Sequence, residues 1–353
     1  QADRASAAFT RFDGNLGHLT IDAPGTEGRS VSATALETWA RCPYQFFVRQ
    51  ILGVVPLETP EQRVRIDALT KGSLIHDILD VFVRERIERA DGLPPLPEDR
   101  RRLHEIAAQL FDETRDRGLT GEALYWRREQ VLIRRMLDTW LDVERERATG
   151  LGLRPIHTEL RFGMGGADPV PVTTPTGRTI ALRGAIDRID ERPDGSLQVL
   201  DYKTGSPSKV SEDEPHGNGT RLQLLLYALA AAHELGRDPT AVYSGYWFLR
   251  ARPEQQVAGY VTGPTVTDAV LEVVDLVVDG IRDGVFAQHP EPTTRLHWTP
   301  CEYCDPDGLG VAEAERRFLR MATAPSLRTY VTLARPGLIP NPTLDIDEDE
   351  EGR

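Results

Sequence analysis

Apolar positions in the first half of the chain recur at helical spacing. Ser32, followed by Ala33-Thr34-Ala35-Leu36-Glu37, offers a capped helix start, and Leu36, Trp39, Ala40, Phe46 and Phe47 continue a stripe that Pro43 interrupts. Leu74, Ile75, Ile78, Leu79 and Phe82 predict a second helix over residues 72 to 90, closed by Asp91-Gly92-Leu93-Pro94-Pro95. Two more helices are expected over 98 to 117 and 121 to 148. After Gly150 the period shortens to two, and strands are expected at 155 to 163, 168 to 174, 179 to 190, 196 to 203, 241 to 250 and 257 to 262. A polar stretch over 206 to 220 reads as a mobile loop, and apolar helices follow over 221 to 235 and 265 to 283. Residues 1 to 29 lack periodicity and read as an extended lead-in. No internal repeat is visible. The pattern is that of an α/β or α+β protein, with a helical front half feeding a mainly antiparallel or mixed sheet that has helices packed on it.

The chain has 353 residues and a formal charge of −13, which excludes a basic nucleic-acid coat or clamp. Six acids fall between Asp345 and Glu351, so the remainder carries −7, and this block reads as a solvated tail. With 40% hydrophobic residues the chain can bury a real core. No run approaches the roughly 18 apolar residues of a membrane span, and the start lacks the pattern of a signal peptide, so a cytoplasmic protein is expected. Gln1 in first place suggests a chain cut from something longer. Cys42, Cys301 and Cys304 are too few for a disulfide framework, and the last two form a CxxC.

The chemistry concentrates in two β-patterned runs, Leu182 to Asp190 and Leu197 to Gly205, joined through Pro193-Asp194-Gly195. A three-residue hairpin loop puts Gly195 in the left-handed position such loops need. Asp187 and Asp201 are then equidistant from Asp194 and lie directly opposite, with Cβ atoms about 5 Å apart. Lys203 shares the face of Asp201. Opposed carboxylates repel, so a positive partner is expected between them, either Lys203 itself or a divalent cation with hard oxygen ligands. In the second case the lysine is free to orient or deprotonate a water or to stabilise phosphate charge. The plain alternative is a surface hairpin whose acids happen to align. His76 sits between apolar positions and, taken singly, reads as a half-buried residue or as a partner of Asp80 at i,i+4. Gln223 and Tyr227 share a helix face and, taken singly, read as its polar edge.

Together these elements resemble the RecB-type branch of the PD-(D/E)XK nuclease superfamily. Gly72-x-x-x-His76, Gly184-x-x-Asp187, Asp201-x-Lys203 and Gln223-x-x-x-Tyr227 occur in that family's order. The opening around Ser32 to Glu37, Cys42-Pro43-Tyr44-Gln45-Phe46-Phe47 and the late CxxC further resemble the AddB-type subgroup, in which the nuclease is the C-terminal domain of a long helicase-like polypeptide. The resemblance implies a restriction-endonuclease-like α/β core, a central mixed sheet flanked by helices with a helical N-terminal insertion. The nuclease domain would span 31 to 320, comprising a helical part to 150, a sheet core over 151 to 290 and a CxxC segment over 291 to 320, with a tail from 321 to 353 that is disordered at its end.

By the same resemblance His76, Asp187, Asp201 and the carbonyl of Tyr202 are metal ligands for Mg²⁺ or Mn²⁺, Lys203 is the catalytic lysine, Gln223 and Tyr227 line the DNA path or support the site, and Glu159 is a recurring acid before the sheet core. The implied activity is metal-dependent hydrolysis of DNA, exonuclease rather than endonuclease, on single strands or DNA ends in double-strand break repair. A helicase subunit, or a helicase-like region of a longer chain, is the implied partner. The competing reading is a catalytically silent nuclease-like scaffold. Family members of this subgroup bind a 4Fe–4S cluster through four cysteines. Cys42, Cys301 and Cys304 match three of those positions and Gly310 occupies the fourth. A fourth ligand from His297, Asp305 or Asp307 to iron or zinc, or a vestige without metal, are the alternatives. The acidic balance then implies that this domain alone binds DNA weakly and salt-sensitively, with Arg127, Arg128, Arg134 and Arg135 as the local basic exception.

Overall fold

The computed structural model describes residues 6–26, 28–55, 64–89, 98–289, 303–305 and 311–338. In chain order the main elements are β1 (Val31–Ser32), α1 (Ala33–Arg41), α2 (Pro43–Phe46), a π-helical turn (Phe47–Ile51), α3 (Ala68–Arg89), α4 (Asp99–Asp116), α5 (Ala123–Leu151), β2 (Arg154–Phe162), β3 (Val170–Thr173), β4 (Thr179–Glu191), β5 (Leu197–Lys203), α6 (Gln223–Leu235), β6 (Tyr243–Phe248), β7 (Val257–Val261), α7 (Pro264–Arg282), α8 (Ala312–Met321) and α9 (Arg328–Ala334). The expected helices and strands are present, with ends displaced by a few residues. The Ser32 hydroxyl caps α1 by accepting the Ala35 N–H. Extended backbone at Cys42 ends that helix, and Pro43 starts the next.

Long strand β4 organises a mixed sheet. Its first half pairs with β3 antiparallel and β1 parallel, and its second half pairs with β2 and β5, both antiparallel. From β5 the sheet continues to β6 in parallel and to β7 antiparallel. The hairpin register is the one the loop dictates: Arg188 faces Leu200 and Ile189 faces Val199, with Gly195 at φ +82°. The next pair in that register is Asp187 and Asp201, but the ladder stops at Arg188, and there the strands open.

Apolar layers cover both faces. On one, α1, α6, α7 and α9 pack over Ile186, Ile189, Leu197 and Val199. On the other, α3, α4 and α5 pack over Leu200, Tyr202 and Trp247. Burying a side chain such as Ile75, Ile78 or Leu79 contributes about 1.5–3 kcal/mol, so the stripe of α3 fixes that helix's rotation and hence where His76 points.

Two expectations are corrected. The lead-in is not simply extended: a Thr10–Asp13 capping box closes a short 3-10 turn, Phe9 is buried, and Asn15 bridges Val285. The tail does not begin at 321. Leu327, Tyr330 and Val331 are buried in the main core, and Tyr330 meets Trp39 edge-on with ring centroids 5.2 Å apart, because an apolar stripe persists there. The acidic block lies outside the described residues, as does the end of the second predicted helix. Residues 206 to 220 form neither helix nor strand.

Candidate metal and catalytic site

Where β4 and β5 part, their carboxylates meet α3 and α6. Gly184 makes the close packing of β4 there feasible, since a Cβ at this position would stand 2.8 Å from Phe162 Cζ and 3.1 Å from Tyr227 Cε1. Asp187 Oδ2 accepts the Tyr202 N–H at 2.6 Å, a bond made where the regular ladder has ended. Asp187 Oδ1 lies 3.4 Å from His76 Nδ1. The alternative partner of His76, Asp80, is instead engaged by Arg84 and by the Thr158 hydroxyl at 2.9 Å. Burial alone would lower the His76 pKa. The hydrogen bond to Asp187 and the charges of Asp187, Asp201 and Glu159 outweigh it and raise the value to about 9.

Glu159 stands on β2 across from Asp187, between the pairs Thr158 with Arg188 and Leu160 with Ile186. Its φ of +49° is rare for a residue with a side chain and costs on the order of 1–3 kcal/mol. His76, Glu159 and Asp187 thereby bring one ligand atom each within 4.8 Å of one another. Burial, with Asp187 and Asp80 adding like charge, raises the Glu159 carboxyl to about 7.

Asp201 is held differently. Burial pushes its carboxyl up to about 6 against the opposing pull of Lys203. Its Oδ1 accepts from Gln223 Nε2 at 2.6 Å, and its Oδ2 is 2.6 Å from Lys203 Nζ. The same ammonium donates to Gln223 Oε1 at 2.9 Å and lies 4.8 Å from the centre of the Tyr246 ring. Burial works to lower the Lys203 pKa, but the adjoining Asp201 carboxylate raises it overall. Gln223 thus bridges acid and lysine from the first residue of α6. That residue is itself fixed by a group to which the sequence assigns no role: Glu37 Oε1, from α1, accepts the Gln223 N–H at 2.8 Å. Burial raises the Glu37 carboxyl to about 7, partly offset by this bond and by Lys203.

Tyr227 is buried one turn beyond Gln223 and meets Phe162 edge-on, with centroids 5.9 Å apart. The Tyr202 ring points into the helical layer against Trp140 and Trp247. The result is a cavity of about 550 Å³ lined by Gly72, His76, Glu159, Asp187, Tyr202 and Lys203. Its carboxylates and imidazole are the hard oxygen and nitrogen donors that suit a divalent cation, and the clustered negative charge supplies the reason to bind one. Past the end of α1, Cys42 and Cys304 are buried with their sulfurs 3.7 Å apart, among Val311, Tyr44 and Ala314. Cys301, Gly310, His297 and Asp307 lie outside the described residues.

The family model of the PD-(D/E)XK nuclease superfamily matches residues 30 to 307, and the chain belongs to this superfamily. It is similar to proteins named as the B-type subunit of an ATP-dependent helicase/deoxyribonuclease. The one from Symbiobacterium thermophilum is 34% identical over 218 residues, covering 59% of this chain and 18% of the relative. Those from Moorella thermoacetica and Clostridioides difficile are 31% and 28% identical, over 58% and 60% of this chain, and again 18% of the relative in each case. The chain therefore spans less than a fifth of the length of these curated relatives.

Proposed function

We propose that this chain is a divalent-metal-dependent deoxyribonuclease domain that hydrolyses phosphodiester bonds at DNA ends, as an exonuclease working with a helicase in double-strand break repair in the cytoplasm. The observation that carries the reading is the convergence of His76, Glu159 and Asp187 within 4.8 Å in a cavity whose wall also presents Lys203. His76, Asp187 and Glu159 would hold Mg²⁺ or Mn²⁺, joined by Asp201 and the Tyr202 carbonyl. The metal, when bound, lowers the pKa of water and neutralises charge on the scissile phosphate.

The chain's own groups do the rest. Lys203, kept cationic by Asp201, is placed to orient the attacking water and to stabilise charge developing on the phosphate. Gln223 fixes the distance between Lys203 and Asp201, and Tyr227 supports the strand that carries Asp187. A silent scaffold is disfavoured because the acids, histidine and lysine are all present and mutually arranged. A 4Fe–4S cluster, or an iron or zinc centre at Cys42, Cys301 and Cys304 with a fourth ligand from His297, Asp305 or Asp307, is no part of the cleavage chemistry proposed, and a vestige without metal is the alternative; iron and zinc analysis of anaerobically purified protein decides between them. No helix among the described residues is long and apolar enough to cross a membrane.

The test is a panel of end-labelled linear duplex, circular duplex and single-stranded DNA incubated with Mg²⁺, Mn²⁺ or a chelator, with and without a helicase. Metal-dependent loss of the linear substrates with circles spared supports the reading. Cut circles contradict the exonuclease assignment, and no cleavage under any condition contradicts the nuclease assignment.

A further inference from the structure

A second cavity, of about 360 Å³, opens beside the metal and catalytic site. Thr204, the residue after the lysine, lines both spaces. One wall is α5, with Leu132, Arg135, Met136 and Thr139, and the other is the chain leaving β6, with Leu249, Arg250 and Ala251. Lys71 and Ile75, on the turn of α3 that precedes His76, form the floor between the two spaces.

The charges in this cavity set it apart from an acidic chain. Arg135 and Arg250 are exposed, and among the described residues neither has an ion-pair partner. Lys71 is half-buried, 3.3 Å from Glu129, the cavity's acid. The run of arginines seen in the sequence is divided by the fold. Arg134 turns to the far side of α5, where its guanidinium lies 5.0 Å from the Phe111 ring centre, whereas Arg135 faces this cavity. Arg250 comes from more than a hundred residues later, so no sequence run announces the pair.

We propose that this cavity is the tract that holds one strand of DNA next to the scissile phosphate, with Arg135 and Arg250 neutralising successive phosphates and Leu132 and Met136 giving an apolar surface for a base. Cationic grooves with side chains that accept a base face are how single strands are held without sequence preference. The partner is a single strand because the cavity is walled on both sides by α5 and the end of β6. This rests on the nuclease reading for what occupies the neighbouring site.

The experiment uses the whole chain and compares Arg135→Ala, Arg250→Ala and the double variant. Both side chains are solvent-exposed, so folding should be unaffected. Binding of a short fluorescent oligothymidylate, and of its duplex with oligodeoxyadenylate, is measured over a range of salt with Ca²⁺ present, and hydrolysis of the p-nitrophenyl ester of thymidine 5′-monophosphate with Mn²⁺ is measured separately. Removing one arginine–phosphate pair should reduce the slope of log affinity against log salt by about 0.7. The double variant should therefore lose roughly 1.4 of slope and bind more weakly, while hydrolysing the small ester at the wild-type rate. Unchanged affinity and slope in the double variant overturn the tract, as does a loss confined to duplex DNA. Failure of the wild type to cleave both the ester and linear DNA strikes the nuclease reading instead, and the binding result still judges the tract.

Discussion

Glu37 Oε1 accepts the main-chain N–H of Gln223 at 2.8 Å across 186 residues of sequence. The bond ties α1 to the first turn of α6, and the Gln223 side chain then sets Asp201 and Lys203. A helix that shifts at its start moves that amide out of the bridge. Glu37→Gln keeps an acceptor oxygen and should retain near-wild-type cleavage. Glu37→Ala frees an otherwise satisfied buried N–H, and should lower kcat by up to about a hundredfold through misplacement of the pair, with KM little changed. Equal loss in both variants would show that charge, rather than the hydrogen bond, is what matters.

The Glu159 carboxyl is raised from 4.5 to about 7. For a group whose folded pKa is raised, the favourable contribution is complete below the unfolded value and is lost as pH rises through the folded one. In metal-free protein the stability advantage of Glu159→Gln over wild type should therefore grow between about pH 4.5 and pH 7 and then level off. Mn²⁺ should narrow the gap by stabilising only the wild-type carboxylate. Thermal melts at several pH values, with and without Mn²⁺, measure this, and a gap independent of pH would contradict the placement of Glu159.

Gly184→Ala places a methyl 2.8 Å from Phe162 Cζ and 3.1 Å from Tyr227 Cε1. Both rings are buried, so neither can swing away freely. The expected cost is about 1–3 kcal/mol of overpacking, read as a lower urea midpoint at unchanged m. Wild-type stability would show that Gly184 serves something other than ring packing.

Behind the site, the fully buried Arg188 contacts Glu144 at 2.7 Å and Asp190 at 2.6 Å. Removing the guanidinium strands two carboxylates in the core. Arg188→Ala should cost about 3–5 kcal/mol, whereas replacing all three residues by apolar ones of similar volume should cost much less. Denaturant titration of the two proteins decides between these outcomes.

Much of the site was legible because a hairpin loop fixes register: Gly195 sets the turn, and the offset of Asp187 from Asp201 follows. What could not be read is how that register ends. Opposed carboxylates do not stay in a ladder, and the strands open so that Asp187 takes the Tyr202 N–H while Asp201 turns to Lys203 and Gln223. The position of Glu159 depends on a left-handed residue in β2, for which a glutamate gives no local signal. Glu37 and Arg250 were hidden for another reason. Glu37 contacts Gln223, and Arg250 comes to line one cavity with Arg135, only when distant segments pack, and neither side chain's setting follows from its local sequence. Leu327, Tyr330 and Val331 join the main core from a short stretch just before the acidic end, too brief to set a clear period of its own.

The central claim is that His76, Glu159 and Asp187 form a metal site that serves Lys203. Mn²⁺ binding by calorimetry and cleavage of linear DNA, measured on the same preparations of wild type, Asp187→Asn and Lys203→Ala, test it most directly. Asp187→Asn should lose both metal binding and cleavage, and Lys203→Ala should bind Mn²⁺ yet fail to cleave. Cleavage by either variant at the wild-type rate, or full Mn²⁺ binding by Asp187→Asn, would contradict the account.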